Sequence, residues 1–139
     1  GQMRGKIDQR FVILKELSKE EQLATIVRFY VHFSASHPEV SALVSQEATT
    51  KSWRIQHLID GHIRPACIAM ETLANQTLGL DREDFVHWYY ILISASSTLF
   101  YFAPECELLF NVESRTDAVV ERHAEILVKL LVRNASAFN

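Results

Sequence analysis

The chain has 139 residues, of which 48% are apolar and 22% charged, with only four glycines and three prolines. That suits one domain with a single packed core, excludes general disorder, and supplies too few turn residues for a β-sandwich or barrel. A net charge of −3, with no Lys/Arg cluster longer than two residues, excludes a free-standing nucleic-acid binder, which needs a basic surface against the phosphates.

Residues 1–17 are polar at first and apolar from Phe11 to Leu14, with no secretory leader pattern. They read as a stub, the end of a linking helix whose beginning lies outside the chain. The first full helix starts at Ser18, where Ser18 and Glu21 have capping-box spacing. Leu23, Ile26, Val27 and Tyr30 form its apolar stripe, and Phe29 and Phe33 widen it. Pro38 ends this helix and opens a short second one over 38–48, edged by Val40, Leu43 and Val44. Thr50 is the expected cap of a long third helix over 51–78, with Gly79 as its stop. The Pro65 ring collides with the carbonyl of Gly61 in a regular helix, so an interruption is expected between them.

A fourth helix starts at Asp81, with Asp84 in its first turn, and ends before Pro104. Residues 85–103 carry no formal charge, which is long enough to span a bilayer. Acidic residues flank both ends, and His87, Ser94, Ser96, Ser97 and Thr98 are polar. The preferred reading is a helix covered on every side by protein, with small residues from Ser94 to Ser97 allowing close approach. A loop over 104–114 follows, with Leu108, Leu109 and Phe110 exposed. The last helix, over 115–133, carries two apolar faces: Val120, Ala124, Leu127 and Leu131 on one, Val119, His123, Ile126 and Leu130 on the other. A small monomer has no use for that second face, and a symmetric dimer does.

The segments 29–44 (FYVHFSASHPEVSALV), 58–66 (LIDGHIRPA) and 119–131 (VVERHAEILVKLL), in this order of helices, resemble the C-terminal domain of TetR-family transcription regulators. The resemblance covers about residues 18–133. It implies an all-α fold of five or six helices, with the last two forming a four-helix bundle across a homodimer. It also implies a small-molecule effector among the central helices that alters operator binding, commonly repression, by an N-terminal helix-turn-helix domain. No helix-turn-helix is present in this chain, so 18–139 reads as the regulatory domain alone, and DNA is a partner only through the missing part.

The expected ligand-binding residues are Phe29, Phe33, Trp53, His57, Met70, Trp88 and Tyr89, which supply apolar and polar surface of the kind that lines effector pockets. Each is also an ordinary core candidate. Gly61 and Pro65 form a candidate hinge, or alternatively a fixed kink that shapes the pocket. The expected dimer interface comprises Ser94, Ser97, Val119, His123, Ile126 and Leu130. No cofactor, metal or catalytic site is expected. His57 and His62 are five apart, off a shared helix face, and Glu-x-x-His pairs, phosphate loops and serine elbows do not occur. Cys67 and Cys106 lack metal-type spacing and read as reduced thiols of a cytoplasmic protein. Two other functions stay open: a ligand-free dimerisation or protein-interaction module, and a small helical metal protein using His57, Asp60 or His62.

Overall fold

The computed structural model describes residues 17–134, so all of the expected stub except Leu17 lies outside the described residues, as do 135–139. The described chain is all helical, with no strand. α1 is Lys19–Ser36 and α2 is Pro38–Glu47. α3 is one continuous rod made of Trp53–Leu58, a π-helical turn Ile59–Ile63, and Arg64–Leu78. α4 is Arg82–Tyr101, and α5 is Ala103–Phe110. α6 runs through Asp117–Val128 and a second π-helical turn, Lys129–Arg133.

The helix ends follow from local chemistry. Ser18 accepts from the Glu21 amide at 3.2 Å, half of the expected capping box. The other half is missing because the Glu21 carboxylate pairs instead with Arg28 and with Arg133, the latter at 3.3 Å. The cap of α3 is Ser52, which accepts from Ile55 N–H at 3.2 Å, and not Thr50, whose hydroxyl turns back to the Glu47 carbonyl. Asp81 caps α4 through the Asp84 amide at 2.9 Å. Gly79 ends α3 at φ 69°, the left-handed region where a Cβ is penalised.

Residues 104–114 are not the expected loop. Most of them form α5, with Pro104 in its first turn and Asn111 closing it at φ 55°. Proline there breaks α4 and starts the next helix with the same residue type, so α4 and α5 are separated by Phe102 alone. Leu108, Leu109 and Phe110 are exposed on α5.

The interruption of α3 is a widened turn and not a gap. Pro65 has no N–H to give the Gly61 carbonyl, and the Arg64 amide reaches back five residues to the Ile59 carbonyl.

α1 is the central rod. Its fully buried residues Leu23, Ala24, Val27 and Val31 meet Met70 and Ala74 of α3, Trp88 and Leu92 of α4, and Ala124 and Val128 of α6 in one apolar cluster. Alanines on α1, α3 and α6 let the backbones approach closely. Trp88 is fully buried, and its indole N–H donates to the Leu131 carbonyl at 2.9 Å. That carbonyl lies in the last turn of α6, where backbone acceptors run out of helical partners. Arg115 does the same for the end of α1, donating to the Ala35 carbonyl at 3.1 Å. Along the rim, Arg28 of α1 binds Glu125 of α6 at 2.9 Å, and the guanidinium holds that carboxyl below its usual range.

α4 is not covered on every side as expected. Phe85, Trp88, Leu92, Ser96 and Phe100 are buried, while Val86, Tyr90, Ile91 and Tyr101 are exposed. Three neighbours suffice to bury one face of a helix, and the opposite face has no described helix over it. No described helix is long and apolar enough to cross a membrane.

Two glycines respond to alanine in opposite senses. A Cβ at Gly61 meets nothing within 4 Å, so Gly61→Ala gains stability by about 0.5–1 kcal/mol through helix propensity. Gly79→Ala loses about 1–2 kcal/mol because its φ is left-handed. Urea unfolding midpoints check both. Trp88→Phe loses about 2–3 kcal/mol in the same assay, from an orphaned Leu131 carbonyl and an unfilled volume.

Candidate ligand cleft beside the kinked helix

The π-turn and the second half of α3 present Ile59, Ile63, Cys67 and Glu71 on one face, because a spacing of four keeps side chains on the same side. Opposite them α4 presents Arg82, Phe85, Val86 and Tyr89. The two rows enclose a cleft of about 330 Å³. Its size falls at the lower end of small-molecule sites.

The cleft has an apolar body, a polar floor and a charged mouth. Behind it, Tyr89 lies close to Tyr30 of α1 and to Cys67. Burial pushes the Tyr89 phenol well above its ordinary range, and the neighbouring Tyr30 and Cys67 add to the shift. Burial raises Tyr30 likewise, with Cys67 contributing. Burial also pushes the Cys67 thiol up; Glu71 adds to this, and Arg64 and Arg82 oppose it. All three groups therefore keep their protons at neutral pH, and Cys67 and Tyr89 give the floor hydrogen-bond donors without charge. At the mouth, Arg82 clamps Glu71 with two bonds of 3.2 and 3.3 Å, and Arg64 donates to Asp60 at 3.2 Å. Gln56 and Arg64 together hold the Asp60 carboxyl below its usual range. A protonated thiol is a poor nucleophile, so this floor suits binding better than covalent chemistry.

The seven expected ligand-binding residues do not converge. Tyr89 lines the cleft. Met70 and Trp88 are sealed in the core, and Trp88 is engaged with Leu131. Phe29 and Phe33 lie on the exposed side of α1, stacked on each other at 5.9 Å. Trp53 is 76% exposed, and with His57 it borders an open hollow of about 430 Å³ between the end of α2 and the start of α3, apart from the α3/α4 cleft. The physical reason is the stripe on α1. Val27 and Val31 take the inward positions, so Phe29 is turned outward and Phe33 is left at the edge. Ile59, Ile63 and Cys67 are cleft residues that sequence reasoning missed. The four-residue spacing of Ile59, Ile63 and Cys67 across the proline break was the available signal.

Of the expected interface residues, Val119, His123, Ile126 and Leu130 share one stripe of α6. His123 Nε2 donates to the Ala95 carbonyl of α4 at 2.7 Å and meets the Phe100 ring edge-on at 5.6 Å, so it is partly engaged within the chain. Ser94 is exposed on α4. Ser97 turns away from α6 toward α2, and its hydroxyl donates to the Ile93 carbonyl. His57 and His62 are both exposed, and among the described residues no group of three His, Cys, Asp or Glu side chains is placed to hold a metal ion.

Set against protein families, curated proteins and solved structures, the chain finds no match.

The raised pKa of Cys67 has a direct readout. In a Cys106→Ser background, iodoacetamide reacts with Cys67 more slowly than with free cysteine at pH 7. The rate climbs through a midpoint above the ordinary thiol range, because the thiolate forms only there. Mass spectrometry at a series of pH values checks it. A midpoint below the free-thiol value contradicts the described floor.

Proposed function

We propose that this chain is the regulatory domain of a TetR-type transcription regulator, dimerising through α4 and α6 and binding a small lipophilic effector in the cleft between α3 and α4. The observation that carries this reading is the outward face that the two closing helices share. Ile91 of α4 is 46% exposed and Leu130 of α6 is 58% exposed. Val119 and Ile126 are half-buried beside them, and His123 bonded to Ala95 holds the two stripes side by side. Such a two-helix face is self-complementary about a two-fold axis and closes into a four-helix bundle.

The cleft gives the effector a place that touches both the interrupted helix and an interface helix. A ligand between the π-turn and Tyr89 biases the spacing of α3 and α4, and it acts only insofar as it binds one spacing better than the other. In this reading Gly61 and Pro65 act as the hinge, and the response passes to a separate helix-turn-helix domain that contacts operator DNA in the cytoplasm, commonly as a repressor. The chain's own acidic balance leaves DNA contact to that domain.

One observation favours a second reading, a dimerisation module without a ligand. Met70 and Trp88, expected in the pocket, are core residues, and the cleft that remains is small. Filling it with Cys67→Phe separates the two. The regulator loses ligand response and keeps its dimer, whereas the module loses nothing.

Light scattering over a concentration series is the first test. The expected mass is twice the 15.9 kDa of the chain. Leu130→Glu is expected to weaken association at least about a hundredfold by burying two unpaired carboxylates across the symmetry axis. A strict monomer for the unaltered chain removes the reading's main support.

A further inference from the structure

On the other flank of α4 lies a groove of about 520 Å³, walled by the end of α1, by α2 and by the middle of α4. We infer that it is a second small-molecule site, distinct from the α3/α4 cleft, for an uncharged ring compound carrying several hydroxyl groups around its rim. Three observations support this. No Asp, Glu, Lys, Arg or His lines the groove, so a charged ligand would lose its hydration with no opposite charge to meet it.

Hydroxyls stand on all three walls, Ser34 on α1, Ser41 on α2, and Ser97 and Thr98 on α4. Ser97 and Thr98 already spend their protons on the Ile93 and Ser94 carbonyls, at 2.9 and 2.7 Å. What they present to the groove is oxygen lone pairs, so the edge of the ligand that faces α4 must donate. Among the hydroxyls, Ala42 of α2 and the ring of Tyr101 at the end of α4 give apolar surface that suits the flat face of a ring.

The third observation is Ser34. Its side chain lies on the inner face of α1 and is 6% exposed, yet it lines the groove. Its hydroxyl has no hydrogen-bond partner among the described residues. It also differs from Ser96 and Ser114, whose unpartnered hydroxyls are sealed off from any probe. A hydroxyl that opens only to a groove bonds whatever occupies it, water when the groove is free and a polar edge of a ligand when it is filled. Its volume lies within the range of ligand sites.

Polyphenols and pyranosides share this chemistry, and the test separates them. The full 139-residue chain, labelled with ¹⁵N, is titrated with (+)-catechin and, separately, with methyl β-D-glucopyranoside. Amide shifts are followed by two-dimensional NMR. The expected result is saturable shifts at Ser34, Ser41 and Ser97 with at least one probe, and the probe that binds identifies the source. Ser34→Ala is expected to weaken that binding about five- to tenfold, the loss of one buried hydrogen bond. Ala42→Leu, on a helix with no buried residue, is expected to abolish it by filling the groove. Thermal unfolding of both variants confirms that they fold. The proposal is overturned if neither probe shifts those amides. It is overturned equally if the shifts survive Ala42→Leu. A change in association state on Ala42→Leu, without probe binding, also overturns it and assigns the groove to contact between copies. Shifts confined to Cys67 and Tyr89 would speak for the cleft alone and count against the groove.

Discussion

The rest of the molecule depends on the inward stripe of α1. Leu23, Val27 and Val31 recur every four residues, with Ala24 beside them, and all four are fully buried. A single helix carrying such a stripe cannot hide it alone, and one neighbour covers only part of it. Three helices therefore pack around it, α3, α4 and α6, each contributing its own small and large residues to the same cluster. Once α1 is the hub, the other helices are held by what they touch on it and only weakly by one another. The space between α3 and α4 is what that arrangement leaves open.

Much of this order was legible in the sequence because helix boundaries are written in short-range chemistry. Ser18, Pro38, Gly79 and Asp81 each mark an end by satisfying or removing a backbone group, and each does so in the structure. The break in α3 was equally readable, since a proline and a glycine four apart leave one carbonyl without its donor. The form of the break was not. A π-turn and a true kink both answer the same missing N–H, and tertiary packing decides between them. α5 was missed for a related reason. Pro104 was read as an end, and a proline that ends one helix serves as well in the first turn of the next.

The site residues were less legible than the elements. Aromatic character selected Phe29, Phe33, Trp53 and Trp88, but size and apolarity do not say which way a side chain points. On α1 the competition for the inward position was won by the aliphatic residues at four-residue spacing, which left Phe29 on the surface. Trp88 was large enough to become the centre of the core, and its indole N–H found a carbonyl at a helix end. The polar floor of the cleft joins Cys67 of α3 and Tyr89 of α4, with Tyr30 of α1 behind them, and no local pattern announces a meeting of that kind. The stripe on α6 was readable from periodicity alone, whereas Ser97 was misplaced because a run of small residues looks the same from every side.

The π-turn has a further consequence for how this chain tolerates length changes. A regular helix closes a turn with bonds between residues four apart, and the wide turn of α3 uses five, so it takes up one extra residue while the segments on either side keep their angular register. Ile55 before it and Met70 after it are both buried, on faces that the wide turn keeps in step. Removing one residue between Ile59 and Ile63 would leave the Trp53–Leu58 segment facing nearly the same way. The cost would fall on Pro65, whose ring would then meet the carbonyl four residues back in a regular turn. A one-residue deletion elsewhere in α3 has no wide turn to absorb it and would swing one half of the rod by about 100° against the other.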